Sequence, residues 1–252
     1  MDAALLPFTA LDWTCMVAAI AIAYIIFGIA GFGTALVAAP LLIHFMPLSR
    51  IVPLLVALDF VAALGNLLPA RKVIVRSELA RLVPCMALGC IVGVVFLLRL
   101  KSDLLLLLMG IFLLVYAVYT LAVKAKPASL SALWALPMGV IGGLFGAMFG
   151  SGGFLYAIYL NARLDSRDQA RATQAALISC STMVRLGLFI VAGVYADGSL
   201  LLLAVCLLPA MALGLWIGRH LTLKMSRESF IRMVTWLVLV SGISLVYRYF
   251  SA

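Results

Sequence analysis

Apolar residues fall into eight long runs: Leu11–Met46, Ile51–Leu68, Leu82–Leu98, Leu104–Val123, Leu133–Leu160, Ala172–Val194, Leu200–Gly218 and Phe230–Tyr247. Short links carrying most of the charge separate them. A helix crosses a bilayer with about 20 predominantly apolar residues, so the pattern predicts an all-α, polytopic integral membrane protein. The short alternating segments of a β-barrel are absent. Two runs differ from the rest. The first contains GIAGFGTALVAAPLL (Gly28–Leu42) and the fifth contains GAMFGSGGFLYAIYL (Gly146–Leu160). Glycines this dense destabilise a helix, so both runs are expected to break at them.

Composition narrows the class further. Of 252 residues, 66% are hydrophobic and 11% charged, where a soluble domain carries roughly 25% charge. No link is long enough to be a soluble domain. The net charge of +9 is spread over the links, as the positive-inside rule distributes it, and so does not predict a nucleic-acid surface. The five cysteines (Cys15, Cys85, Cys90, Cys180, Cys206) sit in apolar runs with no CxxC or Cys/His cluster, so neither a disulfide framework nor a metal site is expected. No Lys or Arg precedes Arg50, so the basic start of a secretory signal is missing and the first run is expected to be retained. No GxxxxGK[ST] phosphate loop occurs, which argues against an ATP-driven pump, and no cofactor is expected.

Charge counting predicts the topology. If all eight runs cross once, one side holds 7 cations and the other 10, with Arg185 inside a span left out. If the two glycine-broken runs instead return to the side they entered from, the count becomes 13 against 4. The larger set is Arg71, Lys72, Arg76, Arg81, Lys124, Lys126, Arg163, Arg167, Arg171, Arg219, Lys224, Arg227 and Arg232; the smaller is Arg50, Arg99, Lys101 and Arg248. Only the hairpin arrangement obeys the positive-inside rule. Length allows it for Leu11–Met46, whose 36 residues would make about 54 Å of helix. Leu133–Leu160 would make about 42 Å, so its hairpin must be short, re-entrant or tilted. One hairpin plus three crossings is an odd number of passes, so residues 127–252 should form a repeat inverted relative to residues 1–126. Inverted repeats with paired broken helices are the architecture of secondary transporters, whose sites lie near the midplane.

The glycine breaks supply chemistry as well as topology. A broken helix frees backbone N–H groups and aims a positive helix N-terminus inward, an anion site made without a charged side chain. This makes Gly31, Gly33, Gly150, Gly152 and Gly153 candidate binding residues, with Thr34 and Ser151 as hydroxyl donors; close helix packing is the competing role for the glycines. Asp59 and Arg185 are the two charges inside spans, and such charges need partners. They form either a structural ion pair between the halves, or a pair in which Arg185 neutralises an anionic substrate and Asp59 carries a coupling proton or balances Arg185. Gln174, Ser181 and Arg185 share a helix face by their spacing. Asn66 is a further candidate, His44 a weaker one, and Trp13, Trp134 and Trp236 look like interface anchors.

Gly31-Phe32-Gly33 followed by Pro40-Leu41-Leu42, and Phe145-Gly146-Ala147-Met148-Phe149-Gly150-Ser151-Gly152-Gly153-Phe154-Leu155 followed by Arg171-Ala172-Thr173, resemble the two halves of the sulfite exporter TauE/SafE family. The chain departs from the family pattern at Thr34, where a third glycine is common, and at Ile158 and Tyr159, where a proline is usual. The resemblance implies a permease, not an enzyme, moving small organic or sulfur-containing anions such as sulfite, sulfonates or sulfoacetate. The expected mechanism is alternating access with protons as the coupling ion, in contact with membrane lipid and located in a bacterial inner membrane. An anion channel of the same fold is the alternative. An intramembrane hydrolase built on Ser151 would need a nearby base, and the only histidines are His44 and His220.

Overall fold

The computed structural model describes residues 8–64, 73–122, 130–196, 198–221 and 227–251, and every regular element in them is helical. In chain order these are α1 (Ala10–Ala30), α2 (Thr34–Leu42), α3 (Leu48–Leu64), α4 (Arg76–Arg99), α5 (Ser102–Ala122), α6 (Ala135–Phe149, entered through a 3-10 turn, Ala132–Trp134), α7 (Gly153–Arg163), α8 (Arg167–Val191), α9 (Ser199–His220) and α10 (Arg227–Ser251). Eight apolar runs thus become ten helices, because the two glycine-rich runs break where expected. Among the described residues six helices (α1, α4, α5, α6 with its lead-in turn, α8 and α9) are long and apolar enough to cross a bilayer. At 9 and 11 residues, α2 and α7 rise only about 13 and 16 Å, roughly half the hydrocarbon thickness.

Local chemistry explains where the helices start. Thr9 and Asp12 form a capping box: Asp12 N–H donates to Thr9 Oγ1 (3.3 Å), and Thr9 N–H donates to the Asp12 carboxylate (2.9 Å). The helices α4 and α8 begin at Arg76 and Arg167, ahead of their apolar runs at Leu82 and Ala172. Hydropathy marks contact with lipid, whereas the helix continues as long as its backbone stays hydrogen-bonded.

The directions of the helices follow from their contacts. Along α1 and α9 the paired positions rise together: a Cβ on Gly214 would strike the Ala21 carbonyl, and one on Gly218 the Ile25 carbonyl. The two helices are therefore parallel. Arg50, at the start of α3, donates to Ser199, the first residue of α9, at 2.8 Å. The starts of α1, α3 and α9 consequently share one end of the bundle, so the α1–α2 unit returns to the end where it began. The second unit does the same at the opposite end. Gly89 of α4 meets Val140 of α6, and Gly93 meets Leu144, again in parallel. Val75 N–H, capping α4, donates to Thr173 near the start of α8 at 3.0 Å. Hence α4, α6 and α8 start together, and the halves run in opposite senses.

Packing follows the same exchange. The first helix of each half, α1 or α6, packs on the fourth helix of the other, α9 or α4; α5 pairs with α10 and α3 with α8. In lipid no hydrophobic force drives helices together, so close approach depends on small residues. Gly89, Gly93, Gly139 and Gly143 bring the α4 and α6 backbones into contact, Gly214 and Gly218 do so for α9 and α1, and Gly110 meets Gly242 between α5 and α10. A sequence repeat underlies this. Pro84-Cys85-Met86-Ala87-Leu88-Gly89 with Gly93 in α4 recurs as Pro209-Ala210-Met211-Ala212-Leu213-Gly214 with Gly218 in α9, a signal absent from the glycine-turn comparison above. Large apolar side chains such as Val115, Val205, Trp216 and Val240 face outward, 60% or more exposed, as a lipid-facing surface requires.

Single cysteines at Ser49 and Ser166, in a background lacking the native five, are expected to react with impermeant reagent from opposite membrane faces, Ser166 from the cytoplasm. Labelling of both from one face would exclude the inverted arrangement.

Candidate functional site

Each glycine turn is built from left-handed backbone that only glycine adopts readily. Gly33 (φ +94°) caps the start of α2, and Gly150 (φ +67°) closes α6, its N–H donating to the Gly146 carbonyl at 2.9 Å. The second turn folds α7 back along α6, with the Tyr156 ring lying on Gly142. The two turns meet. A Cβ on Gly150 would lie 2.5 Å from that of Ala35, and one on Gly153 would lie 3.2 Å from that of Phe32. Between them is a cavity of about 30 Å³, room for about two waters at roughly 10–15 Å³ each. Its polar lining is Gly33, Thr34, Asp59, Gly146, Gly150, Gly152, Gly153, Tyr156, Ser181 and Arg185.

Asp59 and Arg185 both face this space, yet they form no direct ion pair. Asp59 accepts from Tyr24 Oη (2.7 Å) and from Thr34 Oγ1 (3.3 Å to each oxygen). Arg185, 4% exposed, donates from Nη1 to the Gly146 carbonyl (2.8 Å), from Nη2 to Thr182 Oγ1 (3.2 Å) and from Nε to the Ser181 carbonyl (3.3 Å). A guanidinium has five N–H groups, so one on each terminal nitrogen remains for a ligand. Gln174 Nε2 donates to the Gly153 carbonyl at 3.1 Å, tying α8 to the second turn.

The predicted residues therefore divide. Gly33, Thr34, Asp59, Gly150, Gly152, Gly153, Ser181 and Arg185 line the cavity. Gly31 lines an adjoining vestibule of about 220 Å³ with Gly28, Ala63, Ser179, Thr182 and Arg219; the two spaces share Phe27, Asp59 and Ile178. Ser151 is buried, but its hydroxyl donates to the Phe149 carbonyl at 3.1 Å and is absent from the cavity lining. Asn66 lies outside the described residues. His44 is exposed, its Nδ1 3.3 Å from the Leu41 carbonyl. Packing and lining coincide at Gly152, where a Cβ would strike the Gly142 carbonyl.

Three groups were not foreseen. Tyr24 holds Asp59, and Tyr156 enters the cavity one helical turn beyond the glycines. Glu78, 4% exposed, accepts from Tyr159 Oη (2.7 Å), Arg81 (2.8 Å) and Arg163 (3.3 Å), fastening the end of α7 to the start of α4. A tyrosine within a glycine-broken run was the available signal for Tyr156. Arg81 is one turn along the same helix, but nothing local marked Glu78 as buried, because Tyr159 and Arg163 come from α7.

The family model described as Sulfite exporter TauE/SafE matches residues 16–245, nearly the whole chain. The chain belongs to the sulfite exporter TauE/SafE family. It is thus a multi-pass integral membrane protein of a transporter family, and membership brings both glycine turns, Asp59 and Arg185 within the matched region. Searches of curated proteins and of solved structures each returned no significant match.

Gly152→Ala is expected to lower the melting temperature of the purified protein by about 3–10 °C, since overpacking against backbone costs roughly 1–3 kcal/mol. Gly187→Ala, inside α8 and with nothing within 4 Å of its Cβ, should leave it unchanged or raise it slightly, since alanine favours a helix over glycine. Equal effects of the two in differential scanning fluorimetry would show that the turn is not held by this contact.

Proposed function

We propose that the protein is a secondary permease that carries small sulfur-containing or organic oxyanions across a bacterial inner membrane by alternating access, coupled to protons. The observation that carries this is the meeting of two oppositely directed glycine turns, one from each half, around a cavity lined by Arg185 and Asp59. The repeats are 1–126 and 127–252, and rocking of one against the other would expose the cavity to each side in turn. The vestibule at the Arg219 end belongs to the cytoplasmic side, because that end carries the larger share of Lys and Arg.

Roles follow from charge and position. Arg185 supplies the attraction, and the backbone N–H groups of the second turn, at Gly152 and Gly153, add neutral donors at the positive end of α7. Ser181 lines the cavity as a hydroxyl donor, while Thr34 lines it with its hydroxyl given to Asp59. Asp59 repels an incoming anion while ionised, so taking up a proton removes a penalty as the anion enters. Proton and anion then travel together, which is the coupling.

In proteoliposomes Arg185→Ala is expected to lower affinity for sulfite at least about 100-fold, the consequence of removing a buried charge partner. Asp59→Asn should retain binding but lose the rise of uptake with falling pH that the wild type shows. Normal transport by a folded Arg185→Ala protein would exclude this site.

A further inference from the structure

Among the side chains lining the cavity, Tyr156 is the one whose buried polar atom makes no hydrogen bond, although the Ser181 hydroxyl stands beside it. It is 1% exposed, it lines the space between the glycine turns, and its Oη is the only buried side-chain nitrogen or oxygen among the described residues without a hydrogen-bond partner. Buried hydroxyls normally find partners. The same protein provides them for three other buried tyrosines: Tyr24 donates to Asp59, Tyr159 to Glu78 and Tyr195 to the Pro53 carbonyl. The position of Tyr156 is also built. Its ring occupies the place a side chain at residue 142 would fill, so Gly142 makes room for an aromatic ring on the inner face of α6.

Resting on the anion-transport reading above, we infer that Tyr156 Oη is a ligand donor that adapts the cavity to an anionic head with three oxygens, of the sulfite or sulfonate type, over a planar carboxylate. Donors reach the cavity from three places: Arg185 and Ser181 on α8, the backbone of the Gly152–Gly153 turn, and Tyr156 on α7. A pyramidal three-oxygen head offers one oxygen to each. A carboxylate has two oxygens, so one of the three sources is left poorly matched. A site whose buried donors are left unpaired rejects the wrong ligand more strongly than one that merely lacks contact. The head exceeds the space of two waters, so it would reach from the cavity into the adjoining vestibule past Phe27 and Ile178, and a substituent on it would extend further there.

The test uses the full-length purified protein and two probes, methanesulfonate and acetate, with affinity and ligand-free melting temperature measured for the wild type and Tyr156→Phe. The phenylalanine ring keeps the packing on Gly142 and deletes only the hydroxyl. The wild type should prefer methanesulfonate. The variant should lose roughly 10- to 100-fold in methanesulfonate affinity and less for acetate, the size expected for a hydrogen bond to a charged group. Its ligand-free melting temperature should be unchanged or higher, because an unpartnered hydroxyl has left the interior. Unchanged methanesulfonate affinity, or equal losses for both anions, would overturn the assignment while leaving the anion site standing. Failure of Tyr156→Phe to fold would also overturn it, since the empty protein would then need the hydroxyl. Binding of neither probe to the wild type would overturn both this inference and the transport reading beneath it.

Discussion

A helix broken inside a bilayer must find partners for its freed backbone groups within the protein, because lipid offers none. That constraint organises this molecule. Each glycine turn is covered by the other, and helices α3 and α8 bring polar side chains to the broken ends. Arg185 takes the Gly146 carbonyl in the last turn of α6, and Gln174 takes the Gly153 carbonyl at the start of α7. On the other side Thr34, the first residue of α2, donates to Asp59. Of the two intramembrane charges, Arg185 thus bonds the interrupted backbone directly, and Asp59 stands beside it through side-chain hydroxyls.

Holding two such turns in contact demands helices that approach more closely than large side chains permit. The repeated Pro-x-Met-Ala-Leu-Gly-x-x-x-Gly pattern of α4 and α9 does this in both halves. Each copy packs on the first helix of the opposite half, so the halves are interlocked through their smallest residues. Dispersion between backbones, which lipid tails cannot reproduce at such glycine faces, replaces the hydrophobic core of a soluble domain.

What was legible in the sequence was what lipid makes costly. Glycine clusters, Asp59 and Arg185 stand out because an apolar solvent penalises each, and so their location in breaks and spans was readable. The hairpin directions were readable from Lys and Arg because translocation sorts those charges by side. Details set by three-dimensional neighbours were not. Ser151 looked like a site hydroxyl, but its nearest acceptor is the Phe149 carbonyl two residues back. Glu78 precedes the apolar run that starts at Leu82, yet it is buried by Tyr159 and Arg163 from a helix some eighty residues away. Tyr156 carried only its place in a glycine-broken run as a signal, and its surroundings showed when its ring was seen against Gly142.

The absence of a direct Asp59–Arg185 bond has a physical reason, and it makes the two halves unequal. A carboxylate is stabilised near a helix N-terminus and a guanidinium near a C-terminus. Asp59 sits at the N-terminal end of α2, through Thr34, and Arg185 sits at the C-terminal end of α6, through Gly146. Each charge therefore finds a helix end in its own half and does not need the other. The N-terminus of α2 already has a carboxylate beside it, whereas that of α7 has Arg185 and Tyr156 facing the same cavity. Two turns related by an inverted repeat thus differ in what they can accept. On the proposed anion-transport reading, an anion entering the cavity would be drawn to the second turn and repelled from the first while Asp59 is ionised. Protonation of Asp59 would weaken that asymmetry, and with it the preference of the anion for one half. A carrier that must release its cargo on the far side gains from a site whose two walls can be made alike by a single proton.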